Sequence, residues 1–175
     1  ILAVGRQDHA KAHDALVRAF DRYVTDHPGD RLAIAGRAGS GTAALNEALR
    51  TMNHPESVAV LGHRDDVPAL IGAADAVVCS SLREGAAGVL LEAMLIGTPV
   101  ISVPLDGLRG VLVDGQNACV VPLDNLPRAL EATFTDAAAT TRMIKTAQAE
   151  AEDRFSLARA AERLVDIYHW AADVN

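Results

Sequence analysis

The chain has 175 residues, 50% of them apolar and 22% charged, with a formal net charge of -7 at pH 7. That is enough for one sizeable domain with its own core. The negative balance argues against a general nucleic-acid or anionic-membrane surface, though not against a local basic pocket. No apolar stretch approaches the ~20 residues that span a bilayer, and no signal peptide is visible. The first residue, Ile1, lies inside an apolar strand pattern and is not Met, which implies a fragment.

Residues 1–5 read as a buried strand and 5–9 as a turn. From Lys11, the apolar positions Ala12, Ala15, Leu16, Ala19, Phe20, Tyr23 and Val24 recur at helical spacing until Pro28-Gly29. A strand over 31–36 leads into a loop holding Gly36, Gly39 and Gly41. A helix follows with Ala44, Leu45, Ala48, Leu49 and Met52 on one face. Strands are expected at 57–62 and 75–80 around a short helix at 66–74. Next comes an apolar helical run ended by Gly97-Thr98-Pro99, then strands at 100–103 and 118–121. The remainder reads as three helices, about 124–136, 137–153 and 156–172, the last with Ser156 as N-cap.

Strands and helices alternate with short loops, and most strands are continuous apolar runs. The expected fold is therefore α/β: a Rossmann-like three-layer sandwich of about six parallel strands, covered on both faces, with a helical C-terminal tail. No repeat or linker divides the chain, so residues 1–175 are expected to form one domain. In such sheets ligands bind at the carboxyl ends of the strands. The candidate polar residues fall there: Arg6, the loop 36–41, His63 to Asp65, and Glu84.

The most informative stretch is CSSLREGAAGVLLEAMLIGTPVISV, residues 79–103. Its helix holds one acid, Glu92, among apolar residues, and a helix apolar all round is normally buried. A buried carboxylate must be paired or hydrogen-bonded. A second acid, Glu84, precedes small residues (Gly85, Ala86, Ala87, Gly88) that let a ligand approach the backbone. A helix start there offers amide donors and the positive end of its dipole to a phosphate. Phosphates and sugar hydroxyls would suit this stretch. The plainer alternative is a local cap at Glu84 and a core Arg paired with Glu92.

Glu84 and Glu92 form E-x7-E, and REGAAGVLLEAMLIGTPVIS resembles the signature of the retaining nucleotide-sugar glycosyltransferases of family four, group 1. The usual form reads E-G-F-G-L-P-L-L-E-A-M-A-C-G-T-P-V. The likeness extends to V-G-R with Lys11 downstream, L-A-I-A-G at 32–36, V-L-G at 60–62, A-A-D at 73–75, V-D-G at 113–115 and V-V-P at 120–122. It implies the donor-binding, C-terminal half of a two-domain GT-B enzyme, with the N-terminal acceptor domain missing. Arg6 and Lys11, beside Gly5, would bind the donor diphosphate, Glu84 the transferred sugar and Glu92 the ribose. Backbone amides from Gly85 through Ala86, Ala87 and Gly88 to Val89 would hold phosphate or sugar. The loop with Arg64 would hold the base; Arg64 either stacks on it or is an ordinary surface charge.

No cofactor and no essential metal are expected, the nucleotide sugar being a substrate. No nucleic-acid partner is expected. The implied location is the cytoplasm or the inner face of the membrane, with any peripheral membrane contact made through the missing half. The chain departs from the family pattern at Ala86 (an aromatic elsewhere), at Ala87 and Ala12 (Gly elsewhere) and at Gly110, where many members carry Glu. These departures favour a rival, a non-catalytic module of the same fold that binds a sugar nucleotide or a partner. A flavodoxin-like signalling domain is disfavoured because no acidic cluster follows the first strand.

Other residues carry less. Gly36 to Gly41 lacks the Lys of a P-loop and reads as a cleft rim without chemistry. His9 and His13 are expected at the surface. Ser80-Ser81 lacks the context of a nucleophile. Tyr168 and Trp170 read as packing anchors of the last helix. Cys79 and Cys119 read as buried free thiols.

Overall fold

The computed structural model describes residues 1–85 and 87–173; Ala86, Val174 and Asn175 lie outside them. The elements are β1 (Leu2–Val4), α1 (His13–Val24), β2 (Leu32–Ala35), α2 (Thr42–Thr51), β3 (Val58–Gly62), α3 (Val67–Ala73), β4 (Val77–Cys79), α4 (Gly88–Ile96), β5 (Val100–Ser102), β6 (Cys119–Val120), α5 (Leu126–Thr135), α6 (Ala137–Phe155) and α7 (Leu157–Asp173). They follow the hydrophobic periodicity, with ends shifted by a few residues, as fraying helix and strand ends allow.

The sheet has the order β3-β2-β1-β4-β5-β6, and every pairing is parallel. The strand order reverses between β1 and β4. That point is where an open parallel sheet leaves a crevice at its carboxyl edge. One face is sealed by α1, α2 and α5, through Leu16, Phe20, Leu45 and Leu130. The other is sealed by α3, α4 and α6, through Ile71, Leu90, Met94 and Ala147. Fully buried aliphatic and aromatic side chains of this kind each contribute roughly 1.5–3 kcal/mol. At the edge, β3 leaves Val60 and Leu61 exposed.

Three expectations need correction. The first long helix starts at His13, not Lys11. Residues 9–11 form a 3-10 turn, and Ala12 takes a left-handed conformation (φ 50°) that breaks the helix before it. His13 therefore points differently from His9: it is buried, whereas His9 is exposed. In α7, Tyr168 and Trp170 are 64% and 68% exposed, so they are not the buried packing anchors expected. No described side chain of α7 is buried; helical spacing predicted the helix but not what covers it. The N-cap of α7 is as expected, since Ser156 Oγ accepts from the Arg159 N–H at 3.3 Å.

Candidate functional site

The carboxyl ends of β1 and β4 bring Lys11 and Glu84 together across 73 residues of sequence. Lys11 Nζ donates to Glu84 Oε1, with the two side chains 26% and 12% exposed. Local geometry fixes both partners. Ser81 Oγ donates to the same Glu84 oxygen at 2.6 Å, and Ser80 Oγ donates to the Lys11 carbonyl at 2.8 Å. The Leu82 amide donates to the Ala10 carbonyl at 2.8 Å, tying the two loops together. Behind Glu84 lies the loop after β5. A Cβ on Gly107 would come within 2.2 Å of the Glu84 carbonyl oxygen, so only glycine permits this approach.

Burial alone would push the Glu84 carboxyl pKa up. The bonds from Lys11 and Ser81 and the Lys11 charge outweigh it, and the carboxyl sits below its usual range. Beside the pair, His13 is buried and its pKa falls to about 4, first from burial, then from the Lys11 charge, with Asp14 opposing. Its Nδ1 has no hydrogen-bond partner among the described residues.

The other expected groups are placed less uniformly. Arg6 is at the same edge, but its guanidinium turns to Asp8 at 2.5 Å, and its side chain is 68% exposed. Asp8 is held in turn by the Ser40 amide and hydroxyl at 3.1 and 3.3 Å. The Ser40 amide first, then Arg6, keep its carboxyl below the usual range. Arg64 is exposed and forks onto Asp66 at 2.6 and 2.8 Å. Gly5 packs against the Lys11 stem; a Cβ there would stand 3.0 Å from Lys11 Cε.

Glu92 corrects the sequence reading: it is exposed, not buried. α4 turns Leu90, Ala93 and Met94 inward and Gly88, Glu92, Leu95 and Ile96 outward. The outward stripe follows i, i+4, i+7 and i+8. Composition hid this because the outward positions include Leu95 and Ile96, about 40% exposed. Glu92 thus needs no core Arg. It lies one turn past Gly88, on the exposed side of the helix whose first amides face the edge. Gly85 is exposed, Ala87 buried and Val89 half-buried, and Ala86 is outside the described residues.

Ala12 and Ala87 are the two non-glycine residues with positive φ among the described residues, at 50° and 40°. They cap the starts of α1 and α4, beside Lys11 and Glu84. Both are positions where the resembled pattern has Gly. The backbone keeps the left-handed turn even with a Cβ, at roughly 1–2 kcal/mol each. Such strain held at two converging helix starts marks a place where backbone geometry matters more than local stability.

Next to this pair is a cleft of about 310 Å³ lined by Val4, Ala35 and Val67 and by Arg6, Arg37, His63 and Arg64, with Gly5 and Gly36 between them. Gly36 is required by close approach, since a Cβ there would fall 1.8 Å from the Gly5 carbonyl oxygen. Arg37 Nη2 meets His63 Nε2 at 3.0 Å, and that same nitrogen is 3.1 Å from Asp65 Oδ1. Sequence reasoning placed the loop 36–41 at the cleft rim, where Gly36 and Arg37 lie, but gave Arg37 no chemistry, and it considered Ser80 and Ser81 only as nucleophiles. For Arg37 the signal was present, two residues beyond the end of β2. Ser80 reaches an acceptor on the other loop, the Lys11 carbonyl, and Ser81 one three residues on in its own loop, Glu84. Among the described residues no group of three or more His, Cys, Asp or Glu is placed to hold a metal ion.

A parallel sheet in the order 3-2-1-4-5-6, with its polar side chains gathered at the switch point, defines a Rossmann-like α/β protein. Residues 1–139 match the family model described as glycosyl transferases group 1, and the chain belongs to that family. It is 32% identical to YtcC of Bacillus subtilis over 96% of this chain and 44% of the relative. It is 35% identical to a D-inositol 3-phosphate glycosyltransferase of Kribbella flavida over 85% of this chain and 38% of the relative. The crystal structure of Anabaena HepE in complex with UDP and glucose superposes with a TM-score of 0.87 at 23% identity, over 96% of this chain and 47% of HepE. The chain thus spans less than half the length of these relatives.

Proposed function

We propose that this chain is the donor-binding half of a retaining glycosyltransferase, which moves a sugar from a nucleoside diphosphate sugar to an acceptor held by a preceding domain. The observation that carries the reading is the Lys11–Glu84 pair at the switch point, beside the start of α4. Without donor, each group neutralises the other. With donor, the diphosphate takes Glu84's place as the counter-ion of Lys11, and the freed Glu84 carboxylate accepts from hydroxyls of the transferred sugar. The first amides of α4 hold a phosphate oxygen, and Glu92 accepts from the ribose.

The chemistry follows from charge. When the sugar–phosphate bond breaks, negative charge grows on the leaving diphosphate. A prepositioned ammonium stabilises that state more than the ground state. Arg6 joins by exchanging Asp8 for phosphate. In this reading the cations and the helix start supply the counter-charge, and no essential metal is required. Chelation with EDTA should therefore leave transfer unchanged.

The test is transfer by the full-length protein carrying this chain, with the anomeric configuration of the product read by NMR. Retention is expected, and inversion contradicts the retaining assignment. Glu92→Gln should lower turnover together with nucleotide affinity. A protein that binds sugar nucleotides but transfers nothing under any acceptor would instead be the non-catalytic module that Ala86, Ala87 and Gly110 favour.

A further inference from the structure

We propose that Arg37 reads the edge of the donor's nucleobase and selects bases with a carbonyl at pyrimidine C4 or purine C6, as in uracil or a 6-oxopurine, over those with an amino group at that position, as in cytosine or adenine. The inference rests on the donor reading above. It starts from the 310 Å³ cleft, which is apolar on its floor (Val4, Ala35, Val67) and rimmed by Arg6, Arg37, His63 and Arg64, of which Arg6 and Arg64 are already engaged by Asp8 and Asp66. A flat heteroaromatic ring suits such a floor, and its edge must offer acceptors to meet a rim of N–H donors.

The geometry around His63 says which donor is available. Its Nε2 faces the Arg37 guanidinium at 3.0 Å and the Asp65 carboxylate at 3.1 Å. A neutral imidazole nitrogen either accepts or donates, so it can serve one of these neighbours but not both. If Nε2 accepts from Arg37, the Asp65 oxygen faces a lone pair. If Nε2–H donates to Asp65, Arg37 loses its acceptor and its guanidinium turns to the cleft. A carbonyl oxygen arriving from a base resolves the conflict: it replaces His63 as the acceptor for Arg37, and His63 moves its proton to the Asp65 side. An amino group in the same place sets hydrogens against hydrogens and leaves the guanidinium without an acceptor.

Sites built to donate to a ligand oxygen reject the analogue lacking it far more strongly than apolar pockets reject a size change. The rim side chains are exposed, so the expected discrimination here is modest, about tenfold. Two matched pairs isolate the edge: UDP against CDP, and IDP against ADP. Within each pair the ring size, ribose and diphosphate are constant. Calorimetry on the protein should give roughly tenfold tighter binding of UDP than CDP and of IDP than ADP. Arg37→Met should bring both ratios close to one, and His63→Ala should keep them. Arg37 is exposed, so the variant is expected to fold, which its thermal melt checks. Equal affinities within the pairs, a reversed preference, or ratios unchanged in Arg37→Met would overturn the assignment while leaving the donor reading standing. Binding of none of the four nucleotides would overturn both.

Discussion

The two ends of the sheet make opposite offers to a ligand. The amino end has the larger cavity, about 750 Å³, lined by Tyr23, His27, Asp30, Asp75, Glu131 and Thr140 among others. The carboxyl end has a cleft less than half that size, rimmed by three guanidinium groups and an imidazole. At the amino end the acids Asp30, Asp75 and Glu131 face a single lining guanidinium, that of Arg31. There Tyr23 Oη donates to Asp30 at 2.5 Å, and the Tyr23 and His27 rings stack at 4.2 Å. At the carboxyl end, strained alanines cap two helices, and a buried imidazole nitrogen lacks a partner among the described residues. Room alone does not make a site. A diphosphate needs counter-charge and exposed amides, and those are found where the strands end.

The contrast can be broken most forcefully with pH. The folded His13 pKa of about 4 lies below the ordinary ~6.5. Between those values the unfolded chain binds more protons. Stability should be whole above about pH 6.5 and fall as pH drops toward 4, by up to about 3 kcal/mol. Glu84, also depressed, adds a loss at still lower pH, where its carboxylate is protonated. His13→Leu should flatten the decline in urea titrations run across this range. The amino end fails in the other direction. Burial first, then Asp30, raise the Tyr23 pKa, so its contribution is lost as pH rises above the ordinary value near 10.

Lys11→Ala comes next. Removing one charged bond, worth roughly 1.5–3 kcal/mol, should lower transfer by the full-length protein about ten- to a hundredfold. The same assay on Asp30→Asn should stay within about twofold of wild type, because Asp30 lies at the opposite end of the sheet from Lys11 and Glu84. A drop in Asp30→Asn equal to that in Lys11→Ala would erase the distinction between the ends.

Gly36→Ala should destabilise the chain by about 1–3 kcal/mol, since overpacking against the Gly5 carbonyl forces backbone shifts. It should weaken nucleotide binding as well, because both strand ends line the cleft. Tyr23→Phe is the smallest effect: about 1 kcal/mol of stability from the lost hydrogen bond, with unchanged nucleotide affinity by calorimetry.

The sheet and its helices were legible because apolar runs and helical spacing are local properties of sequence. So was the carboxyl edge, because strand ends in a parallel sheet share one direction. Glu84 and Lys11 were assigned to hydroxyls and phosphate separately; that they pair with each other was not visible, since the contact joins loops 73 residues apart. Glu92 was misjudged because an apolar composition was taken for burial, whereas α4 keeps a stripe open that carries Leu95 and Ile96. His13 was misjudged because a left-handed residue at Ala12 resets the helix phase, and nothing in an alanine announces φ 50°. α7 shows the converse limit: its periodicity is clear, but its apolar residues face solvent.

The most direct test is a crystal structure of the protein with UDP. The account predicts the diphosphate between Lys11 and the first turn of α4, with the Lys11–Glu84 bond broken and the base over Val4, Ala35 and Val67. UDP bound in the amino-end cavity beside Tyr23 and Asp30, with Lys11 still on Glu84, would contradict it.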